Sequence, residues 1–287
     1  MQLPPWKASA LRGVFGHGLR AVASGMPPPP WPGCQGGNLA DAVFESQRAW
    51  QDSQATQPWS LHCLELGTHY QAGDLVEMGI TLFGTWPDWC VDCLRQSLEA
   101  GLSCGLGSER AILELAAFQE VLAAPENVPA PATAVHLRTL SPCHLQDHRT
   151  ACGRLNAPAI ARSLLRRSRQ LHRQLIGGDG IDEAAYRSLR NQADNLETVT
   201  ERSQRITQNR RSSRQGAHSL VGLEGELVIA GDDFHTWSPL FAQAPQLLIG
   251  NKPSFGFGNV ALRWLDESEL SDIRLGCTRH DQRGASA

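Results

Sequence analysis

No apolar stretch of this 287-residue chain approaches the ~18 residues that a membrane-crossing helix requires, and residues 1–20 lack the continuous apolar core of a secretory signal. A soluble cytoplasmic protein is the expectation. Glycine (27) and proline (17) are too few for a collagen-like or low-complexity chain, which needs roughly 25–30% of the two together. Lysine is almost missing: Lys7 and Lys252 stand alone, and every other one of the 26 basic residues is arginine. The eight cysteines contain one close pair, Cys90 and Cys93, with no second CxxC and no HxxxH. They read as buried or incidental thiols rather than a zinc or redox centre. A net charge of −3 offers no global attraction to a polyanion, so nucleic-acid binding would have to rest on how the charge is distributed.

The distribution is uneven. Residues 149–214 hold 14 arginines, no lysine and six acids, a local charge of +8, which leaves −11 on the remainder. Arginine offers a planar, permanently charged fork that grips phosphate in bidentate fashion and stacks on bases. Codon bias accounts equally for the choice of arginine over lysine; it does not account for the clustering. Within residues 158–176, Arg162, Arg166, Arg169 and Arg173 fall within about 60° of one another at 100° per residue. Ile160, Leu164, Leu171 and Leu175 fall on the other side. This predicts an amphipathic helix with an arginine ridge, ended by Gly177, Gly178 and Gly180. Asp182 opens a second helix carrying Ala185, Leu189, Leu196, Val199 and Ile206, so a helical hairpin is expected. A solvated charged face is the alternative reading of the ridge.

Elsewhere the pattern predicts a helix over 11–23, a loop over 25–37, strands over 59–66 and 74–82, a helix over 88–100 and a strand over 111–118. The Pro/Ala-rich stretch 124–134 reads as a linker between a domain at 1–123 and another at 135–265, with a frayed polar tail at 266–287. The second domain opens on a strand at 135–140 and closes on elements at 220–229, 234–242, 246–249 and 260–265. Strands and helices mix without regular βα alternation, which predicts two α+β domains.

Two small constellations carry chemistry. His17 lies between Gly16 and Gly18, flanked by Arg12 and Arg20 on the expected first helix. The segment 250–258, with Gly250, Lys252, Ser254, Gly256 and Gly258, has the glycines that let backbone N–H groups approach an anion, although a tight hairpin explains them as well. It is no P-loop. Upstream, Arg210, Arg211 and Arg214 have small hydroxyl residues between them, a composition suited to phosphate contacts.

In order along the chain, LRGVFGHGLR, AGDLVEMGITLFG, GLSCGLGSERAILEL, LLRRSRQL, NRRSSRQ, LVGLEGELVIAG and IGNKPSFGFGNVAL resemble the CRISPR-associated repeat-processing endoribonucleases of the RAMP superfamily. The prominent arginine segment is similar to that of the type IV branch, whose enzyme stays with its RNA. The resemblance implies two tandem ferredoxin-like (RRM-type) domains, the arginine-rich helical hairpin of about 149–214 being an insert in the second. Only ten residues precede Leu11, Pro4 and Pro5 among them, so the first strand should be short or absent. The implied activity is cleavage of precursor CRISPR RNA without metal or cofactor. His17 would serve as general acid or base and Arg12 and Arg20 would stabilise charge. Arg162, Arg166, Arg169, Arg173, Arg210, Arg211, Arg214 and the loop residues Gly250, Lys252, Ser254, Gly256 and Gly258 would hold the RNA. The implied partners are the repeat hairpin and other CRISPR effector subunits; the alternative is a non-catalytic RAMP subunit that positions guide RNA.

Overall fold

The computed structural model describes all residues except 1, 4, 5, 36, 107–109, 131, 148, 179, 213–215 and 285–287, and describes backbone alone at 208–212, 216–218 and 276–284. The chain divides into two compact units. The first comprises Met1–Ala123, Arg167–Ile181 and Pro253–Gly256; the second comprises Ala124–Arg166, Asp182–Lys252 and Phe257–Ala287.

In the first unit, Leu11, Val14, Phe15, Gly18 and Leu19 recur at helical spacing and bury one face of α1 (Ala8–Val22). There follow α2 (Leu39–Phe44), whose Asn38 cap accepts the Asp41 N–H at 3.0 Å, and α3 (Ser46–Ala49). The antiparallel pair β1 (Trp59–His62) and β2 (Gly79–Leu82) leads into α4 (Asp88–Ser103). Helices α1 and α4 touch backbone to backbone. A Cβ on Gly18 would stand 1.8 Å from the Ser97 carbonyl oxygen, and one on Gly101 would stand 2.3 Å from that of Val14, so each contact admits only glycine. Phe15, Phe44 and Trp59 meet beside this seam with ring centroids 5.3–5.4 Å apart.

The strands of this unit are shorter than their sequence pattern predicts. The expected 59–66 and 74–82 contract to four residues each. The expected strand over 111–118 does not form: past the single bridge Leu106–Ala111 it has no ladder partner. Of a first strand, the described residues show one bridge, Gln2–His69. Alternation of side chains makes a strand only where a neighbour accepts its hydrogen bonds.

The second unit runs β3 (Ala134–Thr139), the short hairpin β4 (Gln146–Asp147) and β5 (Thr150–Ala151), α5 (Ala157–Leu175), α6 (Glu183–Gln192), β6 (Glu197–Ser212), β7 (Gly216–Ala230), α7 (Phe234–Phe241), α8 (Ala244–Leu247), β8 (Val260–Leu265) and α9 (Glu267–Gly284). Its sheet is antiparallel in the order β6-β7-β3-β8. With α5 after β3 and α7 after β7, this is the split β-α-β-β-α-β arrangement. Leu137, Leu227, Ile229, Ile160, Leu164, Phe234 and Phe241 are buried in its core.

Three expectations change here. Helix α5 is the motif's own first crossover helix rather than part of an insert, although its residues 167–175 group with the first unit. The second helix of the predicted hairpin ends at Gln192; Leu196 lies just before β6, and Val199 and Ile206 lie within it. Thr198, Val199, Thr200, Ile206 and Thr207 are β-branched, and a ladder with β7 suits them better than a helix. The polar tail is helical over Glu267–Gly284, residues 285–287 lying outside the described residues: Asp266 caps α9 by accepting the Glu269 N–H at 2.9 Å, and Leu270 joins Ala134, Val228, Ala230 and Leu265 in a small apolar cluster.

Candidate nucleic-acid interface

In the first unit the glycine-flanked histidine sits on the outer side of α1. His17 is exposed, as is Arg20, and helical spacing separates them by about 60° around the axis. Arg20 donates to the Gly16 carbonyl at 3.3 Å, lies 3.7 Å from the Glu45 carboxylate and stands 5.9 Å from the centroid of Phe44. Arg12 lies about 140° around the helix from His17. Its guanidinium packs over Phe44 at 5.1 Å and Phe255 at 4.2 Å, and its Nε donates to Ser254 Oγ at 3.3 Å. The fold thus brings Arg12 together with Ser254, two residues far apart in sequence, while His17 and Arg20 share the exposed face.

The glycine-rich loop divides between the units, residues 253–256 grouping with the first. Gly250, Gly256 and Gly258 all have positive φ, and so does Lys252, at +68°. A Cβ on Gly258 would fall 2.0 Å from the Ile249 carbonyl oxygen. The N–H groups of Gly250, Asn251, Gly256 and Gly258 donate to Ser163 Oγ and to the carbonyls of His144, Pro253 and Pro142 at 2.7–2.9 Å. The glycines therefore serve the loop's own fold, and these four donors are already engaged.

On α5 the ridge residues differ from one another. Arg162 is clamped by Asp194 at 2.6 Å and Asp147 at 2.7 Å. Burial opposes its charge, yet hydrogen bonds and attraction from the two carboxylates outweigh that and leave its pKa raised. Arg166 donates to Asn251 Oδ1 at 3.0 Å, Arg169 is half-buried and Arg173 is exposed. Off the ridge, Arg167 is buried and donates to Thr56 Oγ1 at 2.9 Å, the Trp59 carbonyl at 3.2 Å and the Gln57 carbonyl at 3.5 Å, with Phe83 5.3 Å away. Burial lowers its pKa to about 9, still high enough to keep it charged at neutral pH.

The element that sequence reasoning missed is the β6–β7 ribbon. Pairing of β3 with β7 ends at Arg138–Glu226, but β6 and β7 stay in register from Ser203–Gly225 out to Ser212–Gly216. Between Glu201 and Glu224 there is no acid, and Arg202, Arg205, Arg210, Arg211 and Arg214 all fall in that interval. Arg210 stands opposite His218 and Arg211 opposite Ala217; Arg214 lies outside the described residues. The β-branched run starting at Thr198 was the available signal, obscured by the charged residues around it. Cys90 and Cys93 are buried on α4; burial pushes the Cys90 thiol up to about 12 and raises Cys93 as well. Among the described residues no cluster of His, Cys, Asp or Glu is placed to hold a metal ion, and no helix is long and apolar enough to cross a membrane.

Comparison with solved structures places this architecture. The chain is similar to a Cas6 (TTHB231) product complex, with a TM-score of 0.58, 18% identity, and 92% of this chain and 96% of the other covered. It is similar to Thermus thermophilus Cas6 (TTHB231) at a TM-score of 0.51 and 17% identity, covering 91% and 93%. A Cas6 (TTHA0078) product complex also gives 0.51, at 16% identity, covering 90% and 93%. The chain has a Cas6-like fold. A family described as AF_1859_N, N-terminal domain, matches residues 1–139, just under half of the chain. A search of curated proteins gives no match. Within the Cas6-like fold, Arg162 and Arg166 of α5 and the arginines of the ribbon belong to the second unit, whereas Arg167, Arg169 and Arg173 group with the first unit, which holds the histidine-bearing helix.

Proposed function

We propose that this chain processes CRISPR RNA: it binds the hairpin of a precursor repeat, cuts it without a metal ion and stays bound to the product within a larger ribonucleoprotein. The observation that carries this reading is the acid-free arginine ribbon in a chain whose Cas6-like fold extends over nine-tenths of its length. Charge-bearing ribbons position nucleic acid through its phosphates, and duplex RNA is held chiefly by its backbone and shape. Arg202, Arg205, Arg210, Arg211 and Arg214, with exposed Arg173, take that part. Arg162 and Arg166 are committed to Asp147, Asp194 and Asn251, and serve the fold first. Lys252 contacts the RNA backbone near the cut, and Gly250, Ser254, Gly256 and Gly258 shape the loop that carries it. The reading extends to a tandem ferredoxin-like architecture in which the first unit is a reduced copy, its outer strands shrunken.

In the reaction, the ribose 2′-oxygen attacks the adjacent phosphorus as its proton is removed, and the bond to the 5′-oxygen breaks as that oxygen gains a proton. The products are a 2′,3′-cyclic phosphate and a 5′-hydroxyl. His17, exposed on α1, handles one of these protons, and water handles the other. Arg20 and Arg12 stabilise the extra negative charge of the pentavalent intermediate. The test is cleavage of a cognate repeat in EDTA. Wild type should cut and leave a cyclic phosphate, His17→Ala should be slower by about 10²–10⁴-fold, and Arg20→Ala should also be impaired. No cutting by wild type overturns the enzyme reading. The non-catalytic guide-RNA subunit is then the reading to adopt, and one observation favours it: Arg20 is paired with Glu45, and Arg12 is held by Ser254 and two rings.

A further inference from the structure

At the root of the ribbon the second unit has an open depression of about 560 Å³, lined by Arg138, Thr139, Arg202, Ser203, Gln204, Glu224, Gly225 and Glu226. Its origin lies in strand register. Arg138, Glu226 and Arg202 stand side by side across β3, β7 and β6, and Glu224 and Gln204 form the next row on the same face. In that second row there is no residue of β3, because the strand ends at Thr139. Thr139 Oγ1 instead accepts the Gly225 N–H at 2.8 Å and donates to its carbonyl at 3.1 Å, which closes the end of the ladder. Gly225 has φ +155°, and a Cβ there would fall 2.0 Å from the Arg202 carbonyl oxygen, so the position between the two rows requires glycine.

The lining separates into a fixed frame and a set of unused groups. Glu226 is bonded to His136 at 3.2 Å, and Ser203 is bonded to Glu201 and to the Leu155 N–H. By contrast, the side chains of Arg138, Arg202, Gln204 and Glu224 make no hydrogen bond or ion pair among the described residues. Two guanidinium groups, one carboxamide and one half-buried carboxylate therefore converge on one concave space with their bonding capacity unspent. A pocket for phosphate alone would not place two carboxylates beside its arginines. A planar, neutral group that both donates and accepts, linked to a phosphate, matches all four side chains.

We infer that this depression receives a single unpaired guanine nucleotide of the bound RNA, with Glu224 and Gln204 reading the base and Arg138 and Arg202 taking its phosphates. Guanine is the base that presents two adjacent N–H donors, N1–H and N2–H, next to an acceptor, O6, on its pairing edge. A carboxylate takes the two donors and a carboxamide or guanidinium takes the acceptor. Partial burial raises the pKa of Glu224, and two N–H donors would restore the solvation that burial removes. The volume lies within the ordinary range for small-molecule sites. The inference rests on the reading that the chain binds RNA, and adds to it a base preference at a place remote in sequence from His17.

The test uses fluorescein-labelled pentaribonucleotides UUGUU, UUIUU and UUAUU, titrated with full-length protein and followed by anisotropy. Wild type should bind UUGUU at least about fivefold more tightly than UUAUU, with UUIUU, which lacks the N2 amine, between them. Glu224→Gln, confirmed as folded by its thermal transition, should lose that preference, whereas Arg138→Ala should weaken all three alike. Equal binding of the three by wild type, or an undiminished preference in Glu224→Gln, overturns the inference. Repeat-hairpin binding is measured alongside. Hairpin binding without guanine preference refutes the depression and leaves the processing reading intact; guanine preference without hairpin binding does the reverse.

Discussion

On helix α5, Arg162 meets two carboxylates, Arg166 an asparagine, and Arg167 a hydroxyl and two carbonyls, whereas on the ribbon Arg202 and Arg205 stand exposed with no side-chain partner among the described residues. Both elements come from the same +8 segment. Their difference shows that a local excess of arginine divides in two: charge consumed inside the protein, where it fastens elements together, and charge left on the surface, as at Arg202 and Arg205. Helix α5 faces its own chain along most of its length, and the protein's carboxylates and carbonyls reach it. The outer ribbon extends beyond the end of β3 and contains no acid of its own.

The contrast can be broken most sharply at Arg167. Arg167→Ala leaves the buried Trp59 carbonyl without its Arg167 donor and should destabilise the first unit by about 3–5 kcal/mol, read from urea denaturation, with RNA affinity of the folded fraction unchanged. Replacement by Met, which keeps the apolar stem against Phe83, should cost less. Next in size, Arg162→Ala releases Asp147 and Asp194 and should cost about 1–3 kcal/mol, again with little change in RNA binding. A large loss of RNA affinity in that variant would mean that Arg162 leaves its carboxylates for phosphate, and the division between α5 and the ribbon would fall. Smallest in free energy, but opposite in kind, the double variant Arg210→Ala/Arg211→Ala should keep wild-type stability. It should weaken hairpin RNA binding about tenfold and reduce the slope of log affinity against log salt by about 1–2. An unchanged salt slope would remove the ribbon from the interface.

Local pattern made much of the fold legible. The apolar spacing of Leu11, Val14, Phe15 and Leu19 marks α1, that of Ile160, Leu164 and Leu171 marks α5, and the pattern over 135–140 marks β3, which spans Ala134–Thr139. What pattern could not supply is the identity of a partner. The segment 111–118 alternates like a strand yet, among the described residues, forms no ladder beyond the Leu106–Ala111 bridge, and β6 is studded with charges yet pairs with β7 over its length. The candidate site divides in the same way. His17 and Arg20 share an exposed helical face that spacing alone predicts. The contact of Arg12 with Ser254 spans 242 positions and exists only once the chain is folded.

That the basic charge is arginine, and that it is concentrated in one quarter of the chain, follows from the order of residues, because composition and order are all that a local charge requires. The apolar stripe on which α5 sits follows from it too. Which of those arginines lie against carboxylates depends on the folded chain. Asp147 and Asp194 lie 15 and 32 positions from Arg162, and the end of β3 that opens the depression lies more than 60 positions from Arg202. Charge pairing depends on distance through space, which the order of residues does not contain until hydrogen-bonded strands and a packed core bring them together.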